Sequence, residues 1–205
     1  MALTNFSVVL VGENFPVQTI KIADFQYRHR ALSETLRLPV ALQAENNLVA
    51  MQVIPDRFEV RVKTADDLAI QTDGVAVMID TFLEYVGKRT VTAVGHNAQW
   101  VLPGGPESKK ALASHFASLS NIEALIGVPP SDVDLSFGFK LGQETRARAS
   151  LTTSTEGEAL LDFNFHFDIS GPAAITAAIA ELQTSLGHVR AIGDAMDRQN
   201  SMVNR

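Results

Sequence analysis

Alternation of apolar and polar residues builds two separate three-stranded blocks along this chain. The first runs from about Val40 to Lys63. Asn46-Asn47 is a two-residue turn signal there, because asparagine tolerates the positive φ that hairpin turns need. Closing that turn sets Val40, Leu42 and Ala44 opposite Val53, Met51 and Val49. A second turn at Pro55-Asp56 sets the same three residues opposite Phe58, Val60 and Val62. Both turns place one apolar set on one face, and a one-residue slip would invert it.

The second block runs from about Val133 to Ile169. Its inward set is Val133, Leu135, Phe137 and Phe139, then Ala147, Ala149 and Leu151, then Leu161, Phe163, Phe165, Phe167 and Ile169. Loops at Gly142-Gln143-Glu144 and Thr155-Glu156-Gly157 match these faces and place Arg146 opposite His166 and Arg148 opposite Asn164. Each block leads into a helical stripe. Val75, Met78, Phe82 and Tyr85 predict a helix over 73–86, stopped by Gly87. Ile175, Ile179, Leu182, Leu186, Val189 and Met196 predict another over 172–203, with Pro172 in its first turn.

Each block is also preceded by a strand and a helix. Phe6–Val11 and Thr90–Ala98 read as the strands. Leu112, Phe116, Leu119, Ile122 and Ile126 predict a helix opened by Gly105-Pro106 and ended by Gly127. Phe25, Leu32 and Leu36 predict one over 23–36. The expected fold is therefore α+β, mainly antiparallel, with a β-α-β-β-β-α unit duplicated over 1–87 and 88–205. Both copies belong to one compact pseudo-symmetric domain, with helices packed on one sheet face. Val11-Gly12-Glu13-Asn14 and Val94-Gly95-His96-Asn97 echo one another, each ending the first strand of its unit.

Three segments carry a resemblance: Ser7–Gly12, Val91–Asn97, and Leu186 with His188. In them the chain resembles a sporadically distributed bacterial family of uncharacterised proteins. It departs from that family at Gly95–Ala98, where a bulkier aromatic strand is the family's pattern. The resemblance implies a fold and no reaction.

Composition narrows the chemistry. The 205 residues are 46% hydrophobic and 20% charged, which is globular composition with material for a sizeable core. There are no cysteines, so disulfides, thiolate catalysis and cysteine-ligated zinc are excluded. The net charge of -6 and the scattered lysines and arginines offer no concentrated cationic footprint for nucleic acid. No segment reads as transmembrane, and the expected location is the cytoplasm.

Two constellations are candidates for binding. Asp162, Asn164, His166 and Asp168 alternate with phenylalanines, so they share one strand face, where Arg146 and Arg148 join them. Those guanidiniums favour an anion or a partner surface over a metal. The second is Gly95-His96-Asn97 with Trp100, ahead of Pro103-Gly104-Gly105-Pro106, where a helix N-terminus can meet an anion. The binding candidates are thus His96, Asn97, Trp100, Arg146, Arg148 and His166. No phosphate-binding loop, nucleophile elbow or paired-histidine metal motif occurs, so no catalytic residue, metal set or cofactor is predicted. The favoured reading is a non-catalytic interaction module, or a subunit of a homo- or hetero-oligomer, with a protein partner or self-association. The alternative is a small-molecule or anion-binding enzyme or sensor whose site lies between the repeats, which requires the His96 and Arg146 regions to meet in a cleft.

Overall fold

A computed structural model describes residues 2–63, 68–87, 90–102, 109, 135–141, 145–153 and 158–203. Apart from Lys109, the helix expected over 106–127 lies outside the described residues, as do the loops at Gly142 and Thr155. Among the described residues the chain is α+β, with eleven strands, three α-helices and two single-turn 3-10 helices. No described helix is long and apolar enough to cross a membrane.

Nine strands form one antiparallel sheet. They are β1 (Ala2–Gly12), β4 (Ser33–Leu38), β5 (Ala41–Glu45), β6 (Val49–Ile54), β7 (Arg57–Val62), β8 (Val91–Leu102), β9 (Leu135–Lys140), β10 (Thr145–Thr153) and β11 (Ala159–Asp168). Their order across the sheet is β4-β5-β6-β7-β1-β8-β11-β10-β9. In each half the last strand of the three-strand block lies beside the strand that precedes the block. The halves meet through β1 and β8, where Phe6 faces Ala98 and Val8 faces His96.

The inner face follows from strand parity. Phe6, Val8 and Leu10, then Phe58, Val60 and Val62, then Phe163, Phe165 and Phe167 are all buried. They form one core cluster with residues of three helices, α1 (Leu68–Val86), α2 (Pro172–Ala180) and α3 (Leu182–Val203). Val75, Met78 and Phe82 come from α1, Ile175 from α2, and Leu186 and Val189 from α3. The Phe82 ring stacks on Phe58 at 4.0 Å between centroids, and Gln183 of α3 donates to the Thr72 hydroxyl of α1. Burying this many large side chains is the main stabilising contribution in such a core.

Several expectations change. The helix expected over 23–36 is absent. The chain there makes 3-10 turns at Val17–Thr19 and Ile22–Asp24, a small hairpin of β2 (Gln26–Tyr27) and β3 (Arg30–Ala31), and then β4. Phe25 and Tyr27 are both buried at strand spacing, and Arg28 and His29 take positive φ, of 51° and 62°, to close a two-residue turn. Tyr27 packs under α1, where a Cβ on Gly74 would lie 2.8 Å from its ring. The single helix expected over 172–203 is broken at Glu181, which has φ -77° and ψ 1°.

The β6–β7 register is as the sequence predicts, with Val53 opposite Phe58 and Met51 opposite Val60. The β5–β6 register is displaced by two residues, with Leu42 opposite Val53 and Ala44 opposite Met51. The cause is Asn46, whose Oδ1 accepts from the backbone N–H of Leu48 and Val49 and so lengthens the turn. The displacement is even, so the faces survive. The Val-Gly echo does not mark equivalent places, because Gly12 ends β1 whereas Gly95 lies inside β8.

Candidate functional site

The outer face of the sheet carries the polar residues. On β11, Asp162, Asn164, His166 and Asp168 alternate with the buried phenylalanines. The register is as expected, with Arg146 opposite His166 and Arg148 opposite Asn164. Arg146 Nη2 donates to both Asp168 oxygens, at 3.0 and 2.9 Å. His166 Nε2 lies 2.9 Å from the same carboxylate. The His166 hydrogen bond and then the Arg146 charge hold the Asp168 carboxyl below its usual range. Arg148 donates through Nε to the Ser136 hydroxyl at 2.6 Å.

The polar chain crosses the join between the halves. Asn164 donates to Asn97 Oδ1 at 2.6 Å, and Asn97 Nδ2 lies 3.5 Å from the Ser7 hydroxyl. Beside them, Asp162 accepts from Gln99 at 2.9 Å and from Thr152 at 2.8 Å. On β7, Glu59 sits between Arg57 and Arg61, at 2.8 and 2.9 Å. Burial acts to raise the Glu59 carboxyl. Arg61, Arg57 and a hydrogen bond from Ser7 outweigh it and hold the group below its usual range. Glu59 and Ser7 are absent from the predicted site, although the parity of Arg57, Glu59 and Arg61 assigns all three to this face.

His96 and Trp100 lie on the other side. They share parity with Val94 and Ala98 and are buried among the core residues. His96 Nδ1 is 2.9 Å from the Ser185 hydroxyl of α3. Among the described residues its Nε2 has no partner, and its ring lies 4.6 Å from that of Phe167. Burial pushes the imidazole down to about 3, so it is neutral at physiological pH. Trp100 packs against α3 so closely that a Cβ on Gly193 would lie 2.6 Å from the indole.

The predicted residues therefore divide. Asn97, Arg146, Arg148 and His166 face outward, and His96 and Trp100 face inward, with the sheet between them. Among the described residues no group of three or more His, Asp or Glu side chains is placed to hold a metal ion. Concavities open beside the sheet among the described residues. One, of about 180 Å³, opens on the outer face between Gln43, Glu45, Gln52, Glu59 and Arg61. Another, of about 350 Å³, lies between the β2–β3 hairpin and α1, lined by Gln26, Arg28, His29, Asp73 and Val77. The second is invisible to a reading that makes this segment a helix. No protein-family model matches the chain, and no curated protein matches it.

Proposed function

We propose that the protein is a non-catalytic interaction module, working as a subunit of a homo- or hetero-oligomer in the cytoplasm. The observation that carries this reading is the separation of His96 from Arg146. A site using both would need them in one cleft, and they occupy opposite faces of the sheet, on β8 and β10, with β11 between those strands. On the outer face the charged groups are engaged by neighbours, charged or neutral. Arg146 and His166 share Asp168, and Arg57 and Arg61 share Glu59. A surface of mutually paired polar groups suits recognition of another chain's surface better than proton transfer, for which an unengaged group of tuned acidity is needed.

We also infer that the chain is an internal duplication with its helices on one sheet face. The shared strand order of the halves supports the first point, β5-β6-β7-β1 against β9-β10-β11-β8. The entry of α1, α2 and α3 residues into one core cluster supports the second. Superposing β7-β1 on β11-β8 tests the duplication, and a mismatch in the direction of the following helix would refute it. The function is tested by solution mass from light scattering, together with affinity purification from the native host. An assembly larger than one chain, or a stoichiometric partner that dissociates on Arg146→Glu, is the expected result. A strict monomer at tens of micromolar with no retained partner would overturn it.

A further inference from the structure

The two edges of the sheet are built differently. At one, β4 is interrupted by a register irregularity between Glu34 and Leu36, carries the Arg37–Glu34 ion pair, and is followed by Pro39. Bulges, charge and proline are the usual means of blocking an edge. At the other, β9 pairs with β10 without irregularity from Leu135 to Lys140. The ladder continues one step further, since the Leu141 N–H donates to the Thr145 carbonyl at 3.1 Å. Among the described residues nothing pairs with the far side of β9. Its only charge is Lys140, and Phe139 and Leu141 are 42% and 47% exposed.

Resting on the interaction reading above, we propose that β9 pairs antiparallel with β9 of a second copy of this chain, about a two-fold axis at Gly138. The segment is self-complementary in that register. Leu135 meets Leu141 of the second copy, Phe137 meets Phe139, and Gly138 meets Gly138. The four apolar residues share one parity, so they extend the row formed by Ala147, Ala149 and Leu151 on β10. Cross-strand aromatic and aliphatic pairs of this kind stabilise antiparallel sheets. On the opposite face Lys140 meets Ser136, and the two lysines stand at opposite ends of the pair. A parallel arrangement would set Lys140 beside its own copy, which like charge disfavours. The result is one sheet continuous across the dimer, with Phe139 and Leu141 covered.

The absence of cysteine makes the register directly testable. A Cβ on Gly138 meets nothing within 4 Å in the single chain, so Gly138→Cys is accommodated. Mild oxidation of full-length G138C should give a disulfide-linked dimer, whereas S136C, displaced four residues from its own copy, should not cross-link. By light scattering the wild type should be a dimer, and Phe139→Lys should halve its mass. Val40→Lys, at an exposed site near the opposite edge, should leave the mass unchanged. If F139K fails to fold by circular dichroism, the G138C cross-link alone decides. A dimer that persists in folded F139K, or one that cross-links at S136C and not at G138C, overturns this pairing but leaves the interaction reading intact. A wild-type monomer overturns the pairing, and if no host partner is retained either, the interaction reading falls with it.

Discussion

The two halves of the sheet share a strand order but differ at their rims and at their centre. The first half is closed by a strand of its own chain, β4, and the second ends on β9 among the described residues. At the join, Val8 on β1 faces His96 on β8, and both are fully buried. One half therefore contributes an apolar side chain and the other a titratable one to the same spot. The two ion triads differ as well. The Glu59 side chain is 8% exposed between its arginines, and that of Asp168 is 58% exposed beside Arg146 and His166. Similar strand arrangements thus leave the energetics of each half to individual side chains.

The sharpest break in the comparison is at the glycines. A Cβ on Gly12 would lie 2.2 Å from the Thr90 carbonyl and 2.7 Å from the Phe15 ring. Gly12→Ala should cost about 3 kcal/mol in chemical denaturation, at the upper end for overpacking. At Gly95 the nearest atom is 3.8 Å away, so Gly95→Ala should leave the midpoint nearly unchanged.

Next in size is His96. Its ordinary value is 6.5 and its folded value is about 3. Below pH 6.5 the unfolded chain takes up a proton that the folded chain refuses, so stability falls with pH across that window and stops falling near pH 3. The loss between pH 7 and pH 5 should be about 2 kcal/mol. Denaturation at both pH values should show that His96→Gln removes this part of the difference. An equal acid sensitivity in wild type and variant would mean that His96 is not the titrating group.

Smaller again is the contrast of the triads. Glu59→Gln weakens charge-assisted hydrogen bonds from two arginines and should cost about 1 kcal/mol in thermal melts. Asp168→Asn should produce no measurable change, because exposed pairs contribute little. A gain of similar size is expected at His29. It holds φ 62° in the hairpin turn, and His29→Gly should raise stability by about 1 kcal/mol by relieving that strain.

Much of this arrangement is legible in the residues themselves. Parity alone assigns Arg146, Arg148 and His166 to one face, and it also assigns His96, with Val94 and Ala98, to the other. The turn at Pro55-Asp56 fixes its register because two short strands flank it directly. The turn at Asn46 does not, since the asparagine side chain captures two backbone donors and adds residues to the loop without changing parity. Phe25, Leu32 and Leu36 satisfy a helical spacing by accident. The signal that outweighs it is the burial of Phe25 and Tyr27 two residues apart, which becomes clear only once α1 is seen above them. The echo of Gly12 in Gly95 misleads for a similar reason. The two glycines are alike in letters, and only the contacts around them reveal that one is required and the other free.

The placement of β1 at the centre of the sheet bears on how the chain folds. Its partners are β7 and β8, and Ser7 reaches across to Asn97, 90 residues further along. During synthesis β1 emerges before either partner exists, and its apolar row of Phe6, Val8 and Leu10 must wait. The β5–β6–β7 hairpins can close locally, but joining the halves requires closure of a long loop, which slows folding in proportion to its entropy. The meeting of β1 with β8 is thus a high-cost step in forming the sheet, and a half-sheet without it would expose an edge of the kind on which nascent chains aggregate.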